Sequence, residues 1–358
     1  MEKNCVRRNV KWALSCVVFC LIVAALVMAL GGVFKEKSSV ANVLPIYDED
    51  AKYDVVFLGT SHMVNGVYPM EIWDSHGITS VNYAQVGQPF GVTYYAAKEA
   101  VEVARPRLLV VDLYYVYMNS PLQGNNAFKH QSLDNMRPLS LNRLLAITEV
   151  TGKKEWPEFV FPFFAYHTRW SSLNANDFTE PDMTTKGAVQ IFSRAEQTFE
   201  PFVPVDASEK LKPQAFTIGY IDQLMALSRE TGTELLFTVI PYYPVGQEQG
   251  RDLADDQRML NWVADYVEQA GFRCLNMLYA FDEIGFDPAQ HMREWNHLNH
   301  WGGTLVSSYM ADYIRQHYAI PDHRGEPGYE QWDADMAAYT LWRDAELAAA
   351  AEAEKAAE

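Results

Sequence analysis

Two short stretches, far apart in a sequence of 358 residues, hold side-chain types that could form and break an acyl bond. The first is Gly59-Thr60-Ser61-His62, directly after the apolar run Val55-Val56-Phe57-Leu58. A serine on such a turn can raise its hydroxyl over a sheet, and the helical turn behind it offers backbone N–H groups to a developing oxyanion. The plainer use of a Gly-Thr-Ser turn is a helix cap or a phosphate loop. The second stretch is Glu294-Trp295-Asn296-His297-Leu298-Asn299-His300-Trp301-Gly302-Gly303. An acid three residues before a histidine can meet one ring nitrogen while the other faces a cleft. A serine nucleophile needs a base and a group to orient that base, and Ser61, His297 and Glu294 supply the three types. Two metal readings compete with this one. His291, His297 and His300 could be zinc ligands, but no matching acid or cysteine group stands elsewhere. Glu294 and His297 could be half of a carboxylate di-iron site, which needs a second Glu-x-x-His that the sequence lacks. Neither a metal nor another cofactor is expected.

In an open parallel sheet, ligands sit beyond the carboxyl ends of the strands, so strands must present these residues. Residues 55–58, 108–113 and 234–240 are short, continuously apolar runs, as strands buried on both faces are. Residues 272–276 add a further strand. Helical patterns cover 92–104, 214–231, 252–270 and 303–317, and the middle two end in Thr-Gly and Ala-Gly, where glycine stops a helix. The alternation predicts an α/β class: a doubly wound, mainly parallel five-stranded sheet in a three-layer sandwich.

Residues 120–212 break this rhythm. A stretch of about ninety residues rich in Pro, Phe, Trp, Asn and Ser is too long for a plain loop and predicts an inserted helical cap or a substrate-binding wall. Within it, Arg169 could meet an anionic group and Trp170 could stack on a sugar, or both could pack inside the cap. His62 is expected as a polar wall of the cleft, and Tyr242-Tyr243-Pro244 as its border. Residues 326–358, ending in AELAAAAEAEKAAE, form an acidic Ala/Glu-rich tail expected to be a solvated helix.

Charge separates the ends of the chain. The total is -17, yet Lys3, Arg7, Arg8, Lys11, Lys35 and Lys37 against Glu2 and Glu36 leave residues 1–37 at +4 and the remainder at -21. An acidic chain without clustered Lys and Arg is not built to track phosphate backbones, so nucleic acid is not an expected partner. Three of the four cysteines lie in the first twenty residues, which excludes a disulfide framework. Residues 12–34 are 23 consecutive uncharged residues, where about 20 suffice to cross a bilayer. A cleaved secretory signal would have a shorter apolar region of about 7–15 residues and a small-x-small site. The expectation is an uncleaved signal anchor: residues 1–11 cytoplasmic, 12–34 transmembrane, 35–51 a linker, and 52–325 the exported catalytic domain. Four basic residues before the span and two after it set that direction.

Taken together, the two stretches resemble the SGNH or GDSL-like hydrolase family, which has its serine after the first strand and an Asp-x-x-His near the C-terminus. The wording FLGTSHMVNGVYP, NYAQVGQPFGVTYYAAKEAV, PRLLVVDLYY and EWNHLNHWGG is similar to the membrane-anchored cell-envelope branch, related to the teichoic-acid D-alanyl transfer protein and polysaccharide O-acetylation proteins. The resemblance covers residues 53–118 and 213–317. It implies Ser61 as nucleophile, His297 as base, and the N–H groups of Ser61 and Gly87 as oxyanion donors. Glu294 stands where the family has aspartate, one methylene shorter, so the turn must open slightly. The family's third block, Gly-x-Asn-Asp, is absent after residues 108–111, where Asp112 stands, leaving Asn65, Asn82 and Asn119 as candidates for the missing donor.

The implied activity is an extracytoplasmic serine esterase or O-acyltransferase acting on a cell-envelope glycopolymer. Its partners would be the polymer or an acyl donor, and a multispanning membrane acyltransferase. The alternative is a catalytically degenerate SGNH-like domain that binds polymer or scaffolds a membrane acylation complex. A nucleotide-phosphate loop at Gly59-Thr60-Ser61 fits an exported acidic domain poorly.

Overall fold

The computed structural model describes residues 2–35, 44–47, 52–178 and 183–357. Most of the expected linker, at 36–43 and 48–51, lies outside the described residues. The apolar N-terminus is helix α1 (Glu2–Phe34), long and apolar enough to cross a membrane over Asn9–Phe34.

The continuously apolar runs are buried strands. β1 (Val55–Leu58) leads into α2 (Ser61–Gly66) and α3 (Pro69–His76), then β2 (Ser80–Asn82), α4 (Phe90–Val103) and β3 (Leu108–Asp112). Four short helices follow: α5 (Asn126–Asp134), α6 (Leu141–Val150), α7 (Trp156–Val160) and α8 (Phe163–Tyr166). The alternation resumes with α9 (Ala215–Thr231), β4 (Glu234–Val239), the two-residue strands β5 (Gln247–Glu248) and β6 (Arg251–Asp252), α10 (Leu253–Gln269) and β7 (Arg273–Asn276). Two single turns, α11 (Phe281–Ile284) and α12 (Pro288–His291), precede the hairpin β8 (Met292–Glu294) and β9 (His297–Leu298). The chain then forms α13 (His300–His317) and α14 (Glu330–Ala357).

The main sheet runs β2-β1-β3-β4-β7 with every pairing parallel, so it is wholly parallel where a mainly parallel one was expected. The chain leaves β1 towards β2 and returns to the other side of β1 as β3, so the winding reverses there. A crevice opens at such a reversal, beyond the carboxyl ends of the two strands. Helices form two groups, α2 and α3 packed with α13, and α4 packed with α6 and α9.

The insert is helical in its first half and has a small core of its own. Leu133, Met136, Ala146, Ile147, Val150 and Phe159 pack on Val92 and Tyr95 of α4. The linker is tied to this junction: Tyr47 donates its hydroxyl to the buried Glu99 carboxylate at 2.6 Å, and Ser140 donates to the same carboxylate at 2.7 Å.

The C-terminal helix differs from the solvated helix expected. Trp332 and Tyr339 are buried in the main core, Trp332 against Trp73 and Tyr53, and Tyr339 donates to Glu71 of α3 at 2.7 Å. Arg343 pairs with the same Glu71, and Lys186 with Asp335. Alanine composition concealed the two aromatic residues that, seven apart, fall on one face of a helix and dock it. Beyond Asp344 the helix is mostly exposed.

Candidate active site

Ser61 stands at the reversal point because three residues shape the turn after β1. Gly59 has φ +149, and a Cβ there would lie 2.5 Å from the Cβ of Asp112. Thr60 caps α2. Its hydroxyl accepts from the His62 N–H at 3.3 Å and donates to Asp112 Oδ2 at 2.9 Å, both of which one hydroxyl can do. Ser61 is thereby the first residue of α2, where an N–H has no intrahelical acceptor. Burial pushes the Asp112 carboxyl up to about 7, against the bonds from Thr60 and Tyr114 that favour its ionised form. Asp112 is thus a support beneath the serine turn, with no access to the cleft.

Glu294 and His297 are carried by the β8–β9 hairpin. They are directly paired across it, with Trp295 and Asn296 as the turn. The Tyr243 N–H donates to the Trp295 carbonyl at 2.7 Å, so the Tyr242-Tyr243-Pro244 loop holds the hairpin tip. His297 Nδ1 lies 2.8 Å from Glu294 Oε1, and its Nε2 lies 2.8 Å from Ser61 Oγ. A cross-strand pair brings side chains within about 5 Å of each other, which lets the longer glutamate reach the ring. Burial lowers the His297 pKa below 6.5, and Glu294 opposes that shift without cancelling it. At neutral pH the imidazole is therefore uncharged, the form that can take a proton.

Gly87 and Ser61 line the same cleft, of about 570 Å³. Gly87 has φ +64, and a Cβ would come within 2.4 Å of the Phe128 ring, so only glycine lets α5 close on this loop. The Gln85 N–H donates to the Gly59 carbonyl, joining the Gly87 loop to the serine turn.

The remaining expected residues divide. Asn119 lines the cleft with Ser61 and Gly87. Asn65 and Asn82 do not: Asn65 donates to the Val189 carbonyl, and Asn82 donates to the Met63 and Val67 carbonyls and accepts from the Ala84 N–H. Both are buried backbone braces. His62 is not a cleft wall either. It is buried, stacked on Tyr114 at 3.6 Å and packed edge-on against Tyr242, with its ring 5.6 Å from that of His297. Burial, and next the neighbouring His297, hold it neutral.

Arg169 and Trp170 lie away from the cleft. Arg169 pairs with Asp177 at 2.8 Å and donates to the last carbonyls of α1, while Trp170 is 71% exposed. Their segment packs on α1 instead of covering the serine, which no local pattern in the sequence could reveal. The three histidines of the zinc reading serve separate partners. His291 accepts from the Asp287 N–H, His300 bonds to Gln190, and His297 joins Ser61 to Glu294. Among the described residues, no group of three metal-ligating side chains occurs.

Several cleft residues went unread in the sequence. Tyr114, Tyr115 and Tyr117 follow β3 directly, and Phe128, Asn296 and Arg251 complete the walls. The signal was available, because aromatic residues at the carboxyl end of a strand beside the reversal point must face the crevice or the core. Arg251 stacks over Tyr117 at 3.3 Å and is engaged by Glu248 and Asp256. No family model and no curated protein matches this chain.

Proposed function

We propose that this protein is a serine esterase or O-acyltransferase of the SGNH or GDSL-like kind, tethered by α1 and acting outside the cytoplasm on a cell-envelope glycopolymer. The observation that carries the reading is the unbroken hydrogen-bond chain Ser61–His297–Glu294 opening on a cleft.

In this reading Ser61 Oγ attacks the acyl carbonyl as its proton passes to His297 Nε2, and Glu294 stabilises the imidazolium that forms. The N–H groups of Ser61 and Gly87, with the Asn119 amide as third donor, receive the oxyanion. Collapse expels the donor's alcohol, which takes the proton from His297 and leaves Ser61 acylated. Water or a polymer hydroxyl, deprotonated by His297, then attacks the ester and releases Ser61. The tyrosines and Phe128 offer faces for sugar rings. Because Arg251 is already engaged by acids, a neutral glycan fits this cleft better than a polyphosphate. The basic residues ahead of the span favour a cytoplasmic N-terminus, and tethering would hold the site near a membrane-bound acyl donor or a multispanning acyltransferase.

A fluorophosphonate probe applied to the full chain in detergent is expected to label the wild type and leave Ser61→Ala unlabelled. Equal labelling of both removes Ser61 as nucleophile. A folded wild type that neither labels nor cleaves an activated acetyl ester, yet binds polysaccharide, supports a scaffold role instead. The pH profile carries a second expectation. Since the base must be neutral and its pKa is lowered, the acidic limb of kcat/KM is expected below pH 6.5; a limb above 6.5 contradicts the assignment of His297.

A further inference from the structure

We propose that the insert makes a second membrane contact, with Leu139, Leu141, Phe164, Trp170 and Phe178 lying in the bilayer interface where α1 emerges. The inference rests on reading α1 as a membrane span. Asn9–Phe34 is 26 residues, about 39 Å of helix at 1.5 Å per residue, against a hydrocarbon core of about 30 Å. The last turn of α1 therefore falls at the headgroup level, and that turn is gripped by the insert. The backbone of Gly31 meets that of Phe163 so closely that a Cβ would lie 2.8 Å from the Phe163 nitrogen, and Phe34 packs on the Phe163 ring at 5.9 Å. Arg169 donates to the carbonyls of Phe34 and Lys35 at 2.6 and 2.8 Å, two of the acceptors that a helix end leaves unpaired. Lys35 Nζ donates to the Asp134 carbonyl at the end of α5 at 2.6 Å.

Large apolar side chains stand exposed around this grip. Phe178 is 69% exposed and Trp170 71%, with Phe164, Leu139 and Leu141 more than half exposed. In water such a group is a cost, whereas aromatic and aliphatic side chains at headgroup level are stabilised there. Val245 and Leu341 belong to other parts of the chain, and Val203, though within residues 120–212, follows Phe202, which packs on Tyr243 and Phe281 instead of on α1. One helix alone leaves a domain free to tilt, but a second contact fixes the orientation of the cleft. Helix α5, nine residues and about 14 Å long, runs from the cleft at its cap Asn125 and at Phe128 to the Lys35 contact at Asp134. The serine would then be held roughly one short helix above the lipid surface, within reach of a membrane-bound acyl donor.

The test is nitroxide accessibility in the full chain, reconstituted in nanodiscs of equimolar phosphatidylcholine and phosphatidylglycerol. Native cysteines are replaced by serine, and single labels are placed by Phe164→Cys, Trp170→Cys, Phe178→Cys and, as a control, Val203→Cys. A fifth protein keeps only Cys20, inside the span. The labels at 164, 170 and 178 are expected to collide several-fold more with oxygen relative to a water-soluble nickel chelate than the label at 203. If they match position 203 while Cys20 is lipid-shielded, the span stands and the second contact is overturned. If Cys20 is itself open to nickel, both are overturned. A readout that needs no cysteine replacement is tryptophan quenching by brominated acyl chains, which is expected to fall measurably in Trp170→Phe; an unchanged quench counts against the contact.

Discussion

Replacing His297 by alanine is expected to lower kcat/KM for ester cleavage by on the order of 10⁴-fold or more, about 5.5 kcal/mol of transition-state stabilisation, without loss of the fold. The expectation is large because nothing else can substitute for the ring. Among the described residues, His297 is the one base bonded to Ser61 Oγ. His62 is buried and held neutral beneath Tyr114, and Asp112 is closed off beneath the serine turn. The hairpin is secured by backbone bonds and by Tyr243, not by the imidazole, so the variant should fold. Glu294→Gln should cost less, about 10²-fold, because the Glu294 side chain is 45% exposed and water can take over part of its role. It also removes the influence that raises the His297 pKa, so the acidic limb should move still lower. Esterase assays of His297→Ala and Glu294→Gln beside wild type, over a range of pH, decide both points. An His297→Ala variant within tenfold of wild type would end the triad reading.

Arg143→Met is expected to destabilise the protein by roughly 3–5 kcal/mol, a large part of the 5–15 kcal/mol typical of a folded domain. Arg143 is 1% exposed, and its guanidinium meets Asp134 at 2.9 Å and the carbonyls of Leu133, Pro138 and Phe159 at 2.6–3.0 Å. Removing it leaves a buried carboxylate with His130 3.8 Å away as its remaining ionic neighbour and three stranded carbonyls, a loss that methionine's apolar volume does not replace. Burial would raise the Asp134 carboxyl, yet His130 and Arg143 outweigh it and hold it below 3.8. A lowered folded pKa means that this contribution is present above the unfolded value and is lost as the pH falls below about 3.8. Urea unfolding of the full chain in detergent should show the loss, and hydrogen exchange should place it first in residues 126–160, the unit around this core. A loss under 1 kcal/mol would show that the ion pair is dispensable. Because α5 carries Phe128 to the cleft and Asp134 to Lys35, its loosening should also reduce activity.

Most of what lay in local pattern was legible beforehand. An apolar run announces a strand by its own composition, and a Thr-Gly stop announces a helix end, so β1, β3, β4, α9 and α10 fall within a residue or two of their expected positions. Glu294 and His297 were readable because a side chain's neighbours across a tight hairpin are close in sequence. The pairing of His297 with Ser61 spans 236 positions, so no local pattern carries it.

By itself, the sequence determined the membrane-length apolar helix, the α/β alternation and the three residue types at the reversal point, since each depends on neighbours a few positions away. Only the tertiary structure decided which polar residues face the cleft. It turned Asn65 and Asn82 into braces, buried His62 and gave Arg169 to the end of α1, 135 positions away, while bringing Asn119 and three tyrosines beside Ser61. The physical reason is that a polar side chain must satisfy its hydrogen bonds wherever packing leaves it, and packing joins segments that no sequence period relates.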